Sequence, residues 1–119
     1  MMDNKVIITA ALTGAMTPKE LNENIPLTPE EIAADAYKCW KAGAAMVHIH
    51  VRDDNGIGEM NKEKFEEVIR LLRGYEDCDV IINCTTAGEK DAPDEKRLAH
   101  IRTLDGIEMA SYDAGSFNW

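Results

Sequence analysis

The sequence predicts an α/β protein built on a parallel sheet, and three observations support this prediction. Short apolar runs rich in Val and Ile alternate with longer segments of helical periodicity. Turn residues separate most of these segments. The resulting order, βαβαβαβ, requires parallel strands because the chain returns to the sheet through a helix each time. We interpret residues 1–119 as a single domain, with no linker inside it.

The first strand is predicted at about residues 5–11, and the helix after it carries clear start signals. Thr28 is a suitable N-cap, Pro29 suits the first helical position, and Glu31 can close a capping box. Gly43 marks the expected end of this helix.

The second strand is predicted at 46–51, and the turn residues at 53–56 close it. Asn61 is a plausible cap for the second helix, and Gly74 is its expected stop. The apolar face predicted for this helix consists of Phe65, Val68, Ile69 and Leu72.

The third strand is predicted at 80–82, and a third helix begins near 91–94 with Leu98 and Ile101 as its main apolar contacts. A fourth strand is expected at about 106–111. Two architectures fit this pattern. One is a small open doubly wound sheet, and the other is half of a (β/α)8 barrel, whose full form needs about 250 residues.

Charge and composition exclude several classes of function. The net charge is -9 and the sequence pI about 4.7, so the surface repels nucleic-acid backbones and anionic membranes. No apolar run approaches the roughly 20 residues of a membrane span, and no signal-peptide pattern is visible. Cys39, Cys78 and Cys84 lack CxxC spacing, which favours reduced thiols in a cytoplasmic protein.

The predicted second strand carries the most informative polar residues. Side chains alternate along a strand, so His48, His50 and Arg52 are expected on one face, near the C-terminal end where parallel α/β folds place their sites. Two histidines of this spacing can converge on one metal ion. They can equally be hydrogen-bonded core residues, and spacing alone leaves both interpretations open.

Four motifs follow one another along the chain: Ile7 to Ala15, Thr28 to Ala33, Ala42 to Ala45, and the His-x-His-x-Arg-Asp run at 48–53. With these motifs the chain resembles the β-keto acid cleavage enzyme family, from about residue 5 to the end. The resemblance implies the first half of a (β/α)8 (TIM) barrel, a single but incomplete domain. It also implies that His48 and His50 bind a catalytic divalent metal, usually zinc. The reaction it implies converts a β-keto acid and acetyl-CoA into acetoacetate and a new CoA thioester.

The same resemblance implies substrate contacts at Thr85, Gly88, Ser111 and Asp113. Without the resemblance, they are interpreted as ordinary polar residues in loops and a glycine in a turn. Two positions depart from the family pattern. Met16 stands where aminohexanoate-cleaving members have a glutamate that pairs with the substrate's amino group, so a substrate without that group is expected. Asp113 replaces a common asparagine and adds negative charge near a carboxylate substrate.

In this family the third metal ligand, a glutamate, and the catalytic aspartate and arginine lie on later strands of the barrel. We therefore expect no catalytic residue within these 119 residues and no turnover by them alone. The sheet edges near Val6 and Ile107 are expected to associate with a second half or another copy of the chain. A non-catalytic α/β module that binds a ligand or partner remains the alternative. A complete flavodoxin-like domain is disfavoured, because no acidic cluster or Gly-rich phosphate loop follows the first strand.

Overall fold

The computed structural model describes residues 4–115, which form a parallel sheet, a small antiparallel hairpin and helices on one side of the sheet. In chain order the strands are β1 (Thr9–Ala11), β2 (Met46–Ile49), β3 (Val51–Arg52), β4 (Gly58–Glu59), β5 (Ile81–Cys84) and β6 (Met109–Ala110). The helices are α1 (Pro29–Lys41), α2 (Lys62–Arg73) and α3 (Asp94–Thr103), and Lys19–Leu21 form a 3-10 turn. The parallel sheet has the order β1-β2-β5-β6, and β3 pairs with β4.

The helix boundaries confirm the local signals in the sequence. The Thr28 side chain accepts a hydrogen bond from the backbone of Glu31, and the Glu31 carboxylate accepts one from the backbone of Thr28. At α2 the Asn61 side chain accepts from Lys64, and Gly74 caps the other end. These contacts satisfy backbone N–H groups that have no partner within the helix, so short motifs are enough to place both starts.

Three of the four predicted strands are shorter in the structure, whereas β5 extends two residues beyond the end predicted for the third strand. The strand expected at 5–11 is regular only at β1, and the one expected at 46–51 divides at His50 into β2 and β3. The β3–β4 hairpin was not predicted, because two-residue strands are too short to show a period. Its turn is held by the Asp53 carboxylate, which accepts from the backbone N–H groups of Asn55 and Ile57.

The contacts of α3 differ from the prediction. Leu98 and Ile101 are only half-buried, whereas His100 is 1% exposed and stacks on Phe65 with ring centroids 4.3 Å apart. The apolar pattern of α3 is weak, so the residue that it buries could not be identified from periodicity.

The two faces of the parallel sheet differ sharply. The face toward the helices carries Val47, Ile49, Ile82 and Cys84, all 0% exposed and packed into the core with α1 and α2. On the opposite face Ile81 is 37% and Met109 47% exposed, and no described helix covers it. A doubly wound sheet has helices on both faces. Helices on one face only are what a segment of a (β/α)8 barrel requires, and the chain has that fold.

Within residues 4–115, none of the helices has the length and apolarity to cross a membrane.

Candidate metal and substrate site

The two histidines converge at the C-terminal end of β2. His48 is in the strand and His50 directly follows it, with ring planes 75° apart and centroids 5.0 Å apart. Their Nε2 atoms lie 3.2 Å from each other. Two nitrogens bound to one tetrahedral zinc at ~2.0–2.1 Å would lie about 3.3 Å apart. The pair therefore has the spacing of two ligands of a single ion.

Asn83 on β5 holds His48 from the neighbouring strand. The parallel register places Asn83 directly beside His48, and the Asn83 Oδ1 lies 2.7 Å from the His48 Nδ1. Asn83 was absent from the sequence-based set of site residues. Its position at the end of a strand and just before a polar loop was visible, but the register that brings it to His48 was not.

His50 lies in an environment that keeps it neutral. Burial, together with the nearby His48 and Arg52, lowers its pKa to about 4. Its Nδ1 is buried and has no hydrogen-bond partner among residues 4–115. A neutral imidazole is the form that binds a metal, so this environment favours a ligand role.

Arg52 belongs to the β3–β4 hairpin, and it fixes the loop after β1. The side chain is 2% exposed, and its guanidinium donates to the carbonyl oxygens of Thr13, Gly14, Thr17 and Gly56 at 2.7–3.1 Å. Burial lowers its pKa from the ordinary value. In the described part of the chain it forms no ion pair with a carboxylate. This buried cation ties the β1–α1 loop to the histidine segment.

Three loops meet around Gly58. A Cβ placed there would clash with the Gly88 carbonyl oxygen and with the Ala15 side chain, so a larger residue would push the loops apart. The contact joins the loop that carries Met16, the hairpin, and the loop after β5. Met16 itself is 88% exposed.

The predicted substrate residues Thr85 and Gly88 have structural partners. The Thr85 backbone N–H donates to the Ile49 carbonyl, which brings Thr85 to the end of β2 beside the histidines. Its hydroxyl accepts a hydrogen bond from the Ala87 N–H, and the side chain is 2% exposed. Gly88 is buried, and its N–H points to the Met60 Sδ at 3.2 Å. Both residues shape the loop.

Ser111 joins the same loop from β6, but Asp113 does not. The Ser111 Oγ accepts from the Thr86 N–H at 3.1 Å, and the Thr86 hydroxyl donates to the Ser111 carbonyl at 3.0 Å. Asp113 is exposed, and none of the hydrogen bonds found within residues 4–115 links it to the other predicted site residues. The hydrogen bonds thus join Thr85 to the strand that carries His48, and Ser111 to the loop after β5, and they leave Asp113 outside.

Cys84 lies next to this loop but faces the helices. It is 0% exposed, and burial, with a contribution from Glu108, raises the pKa of its thiol to about 12. It is therefore a protonated core residue at neutral pH.

Metal-binding side chains do not gather in groups of three or more anywhere within the described residues. The histidine pair would therefore offer two ligands to a metal ion, one fewer than the three that catalytic zinc sites usually have.

The parallel sheet, with polar residues at the C-terminal ends of its strands, is that of part of a (β/α)8 barrel. The model of the β-keto acid cleavage enzyme family matches residues 5–119, and the chain belongs to this family.

The names of two relatives give different keto acids. The chain is 43% identical over 119 residues to the 3-keto-5-aminohexanoate cleavage enzyme of Fusobacterium nucleatum, with 99% of this chain and 42% of the relative covered. It is 35% identical over 116 residues to the 3,5-dioxohexanoate:acetyl-CoA acetone transferase of Paraburkholderia graminis, with 97% and 36% covered. The chain thus spans less than half the length of these relatives.

A solved structure, the ternary complex of ObcA with a C4-CoA adduct and oxalate, superposes with a TM-score of 0.65 at 24% identity. The superposition covers 75% of this chain and 23% of ObcA. It supports the fold, and it places the described residues within one part of a barrel.

Proposed function

We propose that this chain supplies the metal-binding part of the active site of an enzyme that cleaves a β-keto acid with acetyl-CoA, giving acetoacetate and a new acyl-CoA. The observation that carries the proposal is the 3.2 Å approach of the His48 and His50 Nε2 atoms at the strand ends of a family member. The two rings are hydrogen-bonded to each other at this distance, and a metal bound to both nitrogens would replace that hydrogen bond.

The metal fits the two side chains that would hold it. His48 and His50 would bind it as neutral imidazoles, and zinc is the first choice because nitrogen ligands suit it. A divalent cation here supplies Lewis-acid polarisation of the keto and carboxylate oxygens. The third ligand, and the aspartate and arginine expected for the proton transfers, would come from later strands than those in these 119 residues.

The chain's own residues also support binding of an anionic substrate. The net charge of -9 opposes it, but Arg52 places a buried positive charge two residues from His50. The carbonyl groups around Arg52 orient it without cancelling its charge, since none of them is ionised. Arg52 therefore supplies one buried positive charge close to the histidines.

The methionine at position 16 favours a β-keto acid that has no amino group at the end far from the keto acid. It is 88% exposed on the loop that Arg52 fixes, and a thioether cannot pair with an ammonium group. We propose a neutral or anionic acyl group at this position. The remaining predicted contacts, Thr85, Gly88 and Ser111, would act through the loop that they build, while Asp113 is our least supported contact.

The open face of the sheet would need a cover in the active enzyme. Its edges, β1 and β6, would pair with later strands of a barrel, from a second half of the barrel or in an assembly with another copy.

The reaction can be tested in a chimera that fuses this chain to the C-terminal part of the Fusobacterium nucleatum relative that it does not cover. We expect metal-dependent formation of a CoA thioester from acetyl-CoA and a β-keto acid, and no turnover by the 119-residue chain. The His48→Ala, His50→Ala chimera serves as the control and should be inactive while it keeps the circular dichroism of the parent. Equal turnover by the control would refute the proposed site.

The substrate preference can be tested in the same chimera. Met16→Glu should raise kcat/KM for an amino-bearing β-keto acid relative to a neutral one, because it restores a carboxylate for the ammonium group. Met16→Gln is the matched control, with similar size and no charge, and should not change the ratio. An unchanged ratio for Met16→Glu would show that this residue does not face the substrate.

A further inference from the structure

His48 has two lateral neighbours in the sheet, and only one of them is polar. The register pairs His48 with Ala11 on β1 and with Asn83 on β5. The Asn83 Oδ1 lies 2.7 Å from the His48 Nδ1, a short distance for a hydrogen bond between neutral groups. Strand pairing, rather than a flexible loop, sets this contact.

The chemistry of this contact determines where the His48 proton lies. An amide oxygen can only accept a hydrogen bond, so the His48 Nδ1 must donate. A neutral imidazole carries one ring proton, and Nε2 is therefore left with a bare lone pair. That lone pair faces the His50 Nε2, 3.2 Å away.

His50 has no comparable support. Its Nδ1 is buried without a partner among the described residues, and its Nε2 lies 3.2 Å from the His48 lone pair. Without a metal, the His50 Nε2 therefore carries the proton and donates it to His48. The two histidines thus differ: Asn83 on a neighbouring strand fixes the proton position of His48, and His48 in turn fixes that of His50.

We propose that Asn83 is a positioning residue that fixes His48 in the Nδ1–H tautomer and so directs its Nε2 lone pair to the point shared with His50. This inference rests on the proposed metal site for its functional meaning, although the tautomer itself does not depend on a metal. Partners of this kind behind a metal-binding histidine typically change metal affinity by about 10–100-fold when they are removed.

The test uses the 119-residue chain labelled with ¹⁵N in its histidines. Two-bond ¹H–¹⁵N correlation spectra at pH 8 without metal report which ring nitrogen of His48 carries the proton. We expect a single Nδ1–H tautomer in the unaltered chain. A predominant Nε2–H tautomer would overturn the proposal without any variant, because it would mean that the amide nitrogen of Asn83 faces His48.

Two variants separate the hydrogen bond from the bulk of the side chain. Asn83→Leu removes the acceptor at similar volume, and His48 should then show a mixture of tautomers. Asn83→Asp keeps an acceptor and should keep the Nδ1–H tautomer. Ile81→Ala is the control on the same face of β5, next to Met46 instead of His48, and should leave the His48 signals unchanged.

Zinc titrations of the same samples give the second measurement. We expect Asn83→Leu to bind zinc about 10–100-fold more weakly, with Asn83→Asp equal to or tighter than the unaltered chain. If Asn83→Leu keeps both the tautomer and the affinity, the positioning role is wrong. If no sample binds zinc but the tautomer changes as expected, the metal proposal fails and the positioning of His48 by Asn83 stands.

Discussion

The two faces of the parallel sheet have different roles, although they are built from the same strands. The helix-facing side carries Val47, Ile49 and Ile82, fully buried in one apolar core. The other side carries His48 and Asn83 among exposed neighbours such as Ile81. Successive side chains of β2 and β5 point to opposite faces, so they belong in turn to the apolar core and to the candidate site. A change on one face should affect folding, and a change on the other should affect the site.

The largest expected difference in stability comes from a matched pair of isoleucines. Ile49→Ala removes a fully buried side chain and should lower the free energy of unfolding by about 2–5 kcal/mol. Ile81→Ala, on the open face, should lower it by about 1 kcal/mol or less, because the side chain is already 37% exposed. Denaturant unfolding of the three proteins measures both values. Equal losses would mean that the open face is packed as tightly as the core.

The next effect concerns Arg52, which belongs to the site but is as buried as the core. Arg52→Met removes the donors from the carbonyls of Thr13, Gly14, Thr17 and Gly56, and should cost on the order of 3 kcal/mol. Arg52→Lys keeps the charge but cannot span four acceptors, so it should recover only part of this loss. Amide hydrogen exchange should speed up first at Leu21 and Asn22, whose N–H groups are hydrogen-bonded in the turn that follows Thr17. Uniform faster exchange across the chain would argue against a local role in fixing the loop.

The smallest effect is a pH dependence that arises from His100. Burial lowers the pKa of His100 in the folded chain, against a weaker opposing effect of the Thr85 backbone. Below about pH 6.5 the unfolded chain binds a proton at His100 more readily than the folded chain does. The free energy of unfolding is therefore higher at neutral pH and falls as the pH is lowered.

Replacing His100 with Leu should make the free energy of unfolding less sensitive to pH between about 8 and 5.5, while His48 and His50 remain as a common background in both proteins. Denaturation curves at the two pH values test this. An equal loss of stability in the two proteins on acidification would show that His100 does not carry the effect.

How much of the molecule can be predicted from its sequence depends on how local each contact is. Thr28, Asn61 and Gly74 act on their own helix, so the ends of α1 and α2 were predicted correctly. His48 and His50 were predicted to lie together because they are two residues apart. Asn83, the partners of Arg52, and the stacking of His100 on Phe65 depend on strand register and on contacts between distant segments. No local pattern encodes those distances, so these three features appear only in the structure.

The central claim is that His48 and His50 bind one divalent ion together. Zinc titration of the ¹⁵N-histidine-labelled chain, with His100 as an internal reference, tests it most directly. We predict that the Nε2 signals of His48 and His50 shift together and reach saturation at one zinc per chain, while the His100 signals stay unchanged. A shift of only one of the two histidines, separate midpoints for the two, or saturation at two ions would contradict this claim.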